Sequence, residues 1–173
     1  MTVLDHDWFP RPLPDTVTIG ERSWLYSSYA CHHNRGRITI GADCGIYNGT
    51  QFELGPQGEV QIGDFSTLVG AIIATNGSVS IADHVFIAHE VFIAASPWAQ
   101  PPCGARGPLA TSTGATDAPV VIDSGAWIGT RAVILAPARI GRDAIVGAGT
   151  VVSGVVPDGA TASGNPAQVR VRR

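Results

Sequence analysis

From Ile122 onward an aliphatic residue returns at every sixth position: Ile122, Ile128, Ile134, Ile140, Val146 and Val152. Four places after each comes a small or apolar residue (Ala126, Ala132, Ala138, Ala144, Thr150, Val156), and Gly129, Gly141 and Gly147 directly follow the aliphatic. An α-helix needs apolar positions three and four apart and a lone strand needs alternation, so a period of six excludes both as the organising element. A hexad repeat makes one flat side of a coil, and coils stacked on one another bury a continuous core. The expected fold is therefore all-β, a parallel β-helix shaped as a triangular prism. Its aliphatics stack inside, small residues fit where the walls converge, and glycine is expected to supply the backbone freedom of the corners.

The period extends upstream less regularly. It is first seen at Ile19-Gly20 and Leu25, resumes at Ile40-Gly41, Ile46 and Phe52, and breaks at Gly55-Pro56-Gln57-Gly58. It returns at Ile62-Gly63 and Leu68 and continues through Ile81, Ile87 and Ile93. With three hexads per coil, Ile40, Ile62, Ile81, Ile122 and Ile140 should form one stack, and Ile46, Leu68, Ile87, Ile128 and Val146 the next. A single domain follows: residues 1–39 as irregular lead-in and first coil, 40–96 and 119–156 as β-helix, 157–173 as a tail. Residues 97–118 lose the repeat and are rich in Pro, Gly, Ala, Ser and Thr; a loop of that length inside a compact domain usually serves function, and here it is expected to project from the coil that carries His89.

Composition narrows the partners. Eleven Lys and Arg against 14 Asp and Glu give a formal charge of −3, with no basic cluster before the last few residues, which argues against nucleic acid. No basic segment followed by an apolar run opens the chain and no stretch approaches a membrane span, so the expectation is a cytoplasmic protein without membrane contact. Cys31, Cys44 and Cys103 are odd in number and lack metal-site spacing. Cys44 falls on the small inward position of its hexad and is expected to be a buried apolar residue.

The segment Pro119-Val-Val-Ile-Asp-Ser-Gly-Ala-Trp-Ile-Gly, with Ala132-Val-Ile-Leu, Ile140-Gly, Val146-Gly-Ala-Gly-Thr-Val-Val, Val156-Pro and Gly164-Asn-Pro-Ala, resembles the hexapeptide-repeat acyltransferases of the sugar and xenobiotic O-acetyltransferase type. The match is specific over 119–173 and rests on period alone over 40–96. The resemblance implies a left-handed β-helix and a homotrimer with active sites in clefts between subunits, where acetyl-CoA lies along the groove. It implies Trp127 and Gly129 along the pantetheine path, Gly147, Ala148 and Thr150 offering backbone groups to it, and Asn165, Pro166, Arg170 and Arg172 near the nucleotide. Guanidinium groups suit that last task because they pair bidentately with phosphate.

Acyl transfer to a hydroxyl or amine needs a base for the acceptor proton, and histidine suits it because its unperturbed pKa, about 6.5, lies near working pH. Where the sugar acetyltransferases carry this histidine on the projecting loop, the present chain has Trp98. His89, in Phe86-Ile87-Ala88-His89-Glu90, resembles instead the Ile-Ala-His-Asp of the UDP-N-acetylglucosamine acyltransferases of lipid A synthesis. That resemblance implies His89 as base, with Glu90 orienting its ring or stabilising the imidazolium. His32 and His33 are rivals that an adjacent subunit's loop would bring into the cleft; with Trp98 they are the expected acceptor contacts. His84 reads as a solvated face residue. A zinc site needs converging ligands, and the γ-type carbonic anhydrases' second histidine position is Ala94 here, so no metal is expected. The competing reading is a prism that has lost acetyl transfer and acts in binding or assembly, or runs another reaction in the same cleft.

Overall fold

The computed structural model describes residues 12–26, 35–95 and 118–171, and every regular element among them is a β-strand. The strands coil into a parallel β-helix of three faces. Val17–Ile19, Arg37–Ile40, Glu59–Ile62, Ser78–Ile81 and Val120–Ile122 stack as the first face. Trp24–Leu25, Gly45–Tyr47, Thr67–Val69, Phe86–Ile87, Trp127–Ile128, Ile145–Val146 and Thr161–Ser163 form the second. Gln51–Leu54, Ile72–Thr75 and Phe92–Ala94 form the third. Val133–Ile140 and Val151–Val156 run through a corner, joining the third face to the first, with a register shift between Leu135 and Ala138.

Register bears out the hexad reading residue by residue. Ile19, Ile40, Ile62, Ile81, Ile122, Ile140 and Val156 are successive ladder partners. Leu25, Ile46, Leu68, Ile87, Ile128 and Val146 form the second stack, and Phe52, Ile73, Ile93, Ile134 and Val152 the third. Almost all of these side chains are fully buried, so the core is a column of aliphatics running the length of the prism. The inward position four after the first-face aliphatic is filled by Ser23, Cys44, Ser66, Val85, Ala126, Ala144 and Ala160, all buried. Where that residue is polar it is satisfied along the stack: Ser23 Oγ donates to Gly41 O (2.6 Å) and accepts from Cys44 N (2.8 Å), and Ser66 Oγ donates to Ala82 O (2.9 Å) and accepts from Val85 N (3.1 Å). Cys44 is 1% exposed with its Sγ 3.0 Å from Gly63 O, and burial pushes its thiol pKa up.

One expectation is corrected. The glycine directly after the aliphatic does not supply the unusual backbone of the corner; that falls two residues later, where Arg22, Asp43, Phe65, His84, Gly125, Asp143 and Gly159 line one corner with φ between +51° and +74°. Glu90, Arg131 and Gly149 repeat the pattern on the next corner, at +56°, +60° and +67°. At several of the earlier positions glycine is needed because the coils touch there. A Cβ on Gly20 would lie 2.5 Å from the Gly41 carbonyl carbon, and one on Gly129 would lie 2.7 Å from Ala148 N. Gly147, closer to the end of the stack, is different: its nearest neighbours would be at 3.4 Å, an ordinary contact.

The insertion after Ala95 leaves the third face, and Val120–Ile122 rejoins the first face directly beside Ser78–Ile81, so no face is lost across it. The expected projecting loop, with Trp98 and Cys103, lies outside the described residues, as do His6, Cys31, His32, His33 and Arg172. The prism continues past Val156 through the buried Ala160 and Ala162, and the tail strand Gln168–Arg170 turns back antiparallel on Thr161–Ser163. No helix among the described residues is long and apolar enough to cross a membrane.

Two outcomes follow from this packing. Gly129→Ala is expected to lower stability by about 1–3 kcal/mol, the usual size of overpacking, whereas Gly147→Ala changes it by less than about 1 kcal/mol in denaturant titration. Native protein treated with iodoacetamide should leave the Cys44 peptide unmodified in mass mapping, with labelling appearing on unfolding; rapid labelling in the native state would contradict its burial.

Candidate functional site

Successive coils expose equivalent residues on one outward column, so a surface groove can be built from residues far apart in sequence. On the second face and its following corner, Phe86, Ala88 and His89 sit beside Trp127, Gly129 and Thr130, which sit beside Ile145, Val146, Gly147 and Ala148. Together they line a groove of about 420 Å³. Its floor is open because Ala88, Gly129 and Gly147 carry little or no side chain, and its wall is the edge-to-face pair Phe86 and Trp127, with centroids 6.3 Å apart. Trp127 is 54% exposed, unusual for an indole unless something covers it. Among the described residues His89 is the only ionisable side chain lining the groove. Five residues singled out from the sequence, His89, Trp127, Gly129, Gly147 and Ala148, thus meet in one place.

The groove's corner differs from the preceding one in its backbone. Between the first and second faces, a carboxylate of the next coil caps the second corner residue at three places: Ala42 N donates to Asp64 Oδ1 (2.7 Å), Asp64 N to Asp83 Oδ1 (2.9 Å) and Arg142 N to Asp158 Oδ1 (2.9 Å), while Glu21, Asp83 and Ser124 hold the same position without such a cap among the described residues. The equivalent residues on the groove corner are His89, Thr130 and Ala148, and no carboxylate caps them. Among the described residues their N–H groups have no hydrogen-bond partner, leaving a column of three donors along the groove. Exposed donors of this kind are ready to meet carbonyl or oxyanion oxygens of a ligand. The sequence carried a signal for this, Asp at one corner and none at the other, which a search by side-chain chemistry alone passes over.

Glu90 takes a different partner from the one expected. Its Oε2 accepts from Arg131 Nε at 2.6 Å, across to the next coil, rather than from the neighbouring imidazole. The two residues hold left-handed corner positions on adjacent coils, which aims both side chains outward at the same corner. The hydrogen bond and charge of Arg131 hold the Glu90 carboxyl below the usual range. The pair is therefore intact at neutral pH and is lost only as pH falls through that lowered value. It braces the corner whose first half is His89, and Arg131 N donates to His89 O at 2.9 Å.

The remaining expected contacts stand apart from the groove. Thr150 is fully buried; its N–H donates to Gly147 O, its carbonyl accepts from Val133 N, and its hydroxyl accepts from Gly164 N at 3.2 Å. Its groups serve the corner. Gly147 likewise spends its N–H on Ala162 O, so its contribution to a groove is the space it leaves. Asn165 and Pro166 lie in an exposed turn held by Ala167 N on Val151 O, and Arg170 is exposed on the final antiparallel strand. His84 is exposed and stacks on Phe65, with centroids 5.0 Å apart, away from the groove. No cluster of metal-ligating side chains occurs among the described residues.

Comparison with known proteins places these features. Residues 119–154 match the family model for the bacterial transferase hexapeptide (six repeats). A 2,3,4,5-tetrahydropyridine-2,6-dicarboxylate N-acetyltransferase of Staphylococcus aureus (strain JH9) is 49% identical over 51 residues, which is 30% of this chain and 21% of that protein. The chain thus spans about a fifth of that relative's length. Among solved structures, a point mutant of AntD, an N-acyltransferase from Bacillus cereus in complex with dTDP and coenzyme A, superposes with a TM-score of 0.71 at 22% identity, covering 90% of this chain and 84% of that one. The hexapeptide-repeat-containing acetyltransferase VCA0836 from Vibrio cholerae, complexed with acetyl coenzyme A, gives 0.60 at 21% identity, covering 91% and 72%. A galactoside acetyltransferase in complex with coenzyme A gives 0.56 at 21%, covering 90% and 64%. At these identities the structures share the fold. Residues 119–154 thus carry the hexapeptide repeat, and over most of its length the chain shares the fold of these structures.

Proposed function

We propose that the protein is a CoA-dependent acyltransferase that moves an acetyl group to a hydroxyl or amine of a small acceptor, acting as a homotrimer with His89 as general base. The observation that carries this reading is the meeting of His89 with an apolar, side-chain-poor groove and a column of unpartnered N–H donors. The pantetheine arm of an acyl-CoA is slender and studded with amides, and it suits a track floored by Ala88, Gly129 and Gly147. The coenzyme A and acetyl-CoA complexes named for proteins of the same fold support the same donor. The groove is open along one side in the single chain, and a neighbouring prism would supply the missing wall.

In this reading the imidazole of His89 takes the proton as the acceptor oxygen or nitrogen attacks the thioester carbonyl carbon. The carbonyl oxygen becomes an oxyanion, which one of the free corner N–H groups, from Thr130 or Ala148, would stabilise. Collapse breaks the C–S bond, and the departing thiolate takes the proton from the imidazolium, giving CoA and the acetylated acceptor. Glu90, committed to Arg131, acts by fixing the corner rather than by direct contact with the ring.

A second reading keeps the prism and trimer but assigns binding or assembly without acetyl transfer. It is favoured by Trp98 at the loop position of the usual histidine and by the commitment of Glu90 to Arg131 rather than to His89.

His89→Ala is expected to lower turnover with acetyl-CoA by at least about a hundredfold while leaving CoA affinity unchanged in calorimetry. Normal turnover in that variant removes His89 from the chemistry. Acetyl-CoA should raise the melting temperature of the native protein, and Gly147→Ala, which folds but puts a methyl group on the groove floor, should weaken that shift. If calorimetry detects no CoA binding at all, the second reading holds.

A further inference from the structure

We propose that the acceptor binds with a flat ring against Tyr47 and Trp24, on the N-terminal side of His89; this subsite rests on the acyltransferase reading above. The groove for the donor runs from Ala88 toward the C-terminal coils, through Gly129 and Gly147. An acceptor must reach the same histidine from the other direction. There the ladder continues the groove's outward columns: Thr67 lies beside Phe86, Gly45 beside Thr67 and Trp24 beside Gly45, while Tyr47 lies beside Val69. Tyr47 stands two strands from Ala88, about 10 Å at the spacing of neighbouring strands, a distance that a single ring and its substituent span.

The far end of that track is a built aromatic wall. Trp24 and Tyr47 meet edge to face, with centroids 4.3 Å apart and ring planes at 76°. They close over Gly45, where an added Cβ would lie 3.0 Å from Trp24 Cζ2 and 3.0 Å from Tyr47 Cε2. Gly45 is thus the position whose missing side chain lets both rings lie over the strand, which orders them before any ligand arrives. Tyr47 is 42% exposed, and the exposed Asn48 and half-buried Thr67 flank it with hydrogen-bonding groups. An aromatic face with a polar rim recognises a ring that has an apolar face and polar edges, which describes both an aryl group and the C–H face of a pyranose. Two aromatic clusters then divide the work along one track: Phe86 and Trp127 beside the donor, Trp24 and Tyr47 beside the acceptor.

The test uses CoA-saturated protein and two probes, methyl β-D-glucopyranoside and 2-phenylethylamine, titrated by saturation-transfer NMR. At least one probe should bind, and which one does separates the sugar from the aryl source. Tyr47→Ala should weaken it about tenfold, a loss in keeping with a single aromatic contact, with a folded chain, CoA affinity and oligomer size unchanged. Gly45→Ala, whose methyl group would press on both rings, should weaken it as well, and Phe65→Ala, on the other corner, should leave it as in the wild type. Binding of neither probe, equal binding by Tyr47→Ala, or a smaller oligomer in that variant would overturn the subsite while CoA binding stands. Failure of the wild type to bind CoA overturns the acyltransferase reading and the subsite with it.

Discussion

Everything in this molecule depends on parallel strands stacked at hydrogen-bond spacing with identical positions in register. Because each coil lies directly on the last, a residue is surrounded chiefly by its own equivalents in the coils above and below. Aliphatics therefore meet aliphatics, small corner residues meet small ones, and at Gly20, Gly41, Gly63, Gly129 and Gly141 the residue after the aliphatic must be bare because the next coil's backbone occupies the space of a Cβ. A coil cannot bury its inner face alone, so stability is shared between neighbours along the stack.

The same stacking rule makes a binding surface. Whatever one corner exposes, the next coil exposes about 4.8 Å further on, so a property present in several hexads becomes a linear track. Where the second corner residue is Asp64, Asp83 or Asp158, its carboxylate closes the backbone N–H of the coil before it and the edge is sealed. On the neighbouring corner His89, Thr130 and Ala148 leave the edge open. The carboxylate-capped positions read as structure; the uncapped ones at His89, Thr130 and Ala148 stand out because they also border the apolar groove. Glu90 and Arg131 illustrate the division: they sit where strained corner backbone points them outward, and they use their charges on each other.

Much of this was legible in the hexads. The inward columns from Ile19 to Val156 follow from counting sixes, since burial leaves a half-buried wall only one register. The burial of Cys44 followed from its place in the count. What the count could not give was the reason for each glycine: period alone does not distinguish a residue that bends from one that must be thin, and it treats Gly129 and Gly147 alike although only the first is crowded. The direction of Glu90 was also hidden, because its partner Arg131 is 41 residues away in sequence and adjacent only once the insertion after Ala95 is seen to return to the same ladder. The pairing of Tyr47 with Trp24 was hidden in the sequence for a similar reason. They join the groove's column only through the pairing of four successive strands, and the aromatic cluster depends on an unremarkable glycine between them.

The central claim is that the open corner is where an acyl group is handed over. The most direct measurement is a crystal structure with a non-hydrolysable acetyl-CoA analogue bound. The account predicts the pantetheine arm along Ala88, Gly129 and Gly147, the acyl carbonyl oxygen within hydrogen-bond distance of a corner N–H, and room for an acceptor atom roughly 2.6–3.2 Å from the imidazole of His89. An analogue lying on another face, or with its acyl carbon out of reach of His89, would contradict it.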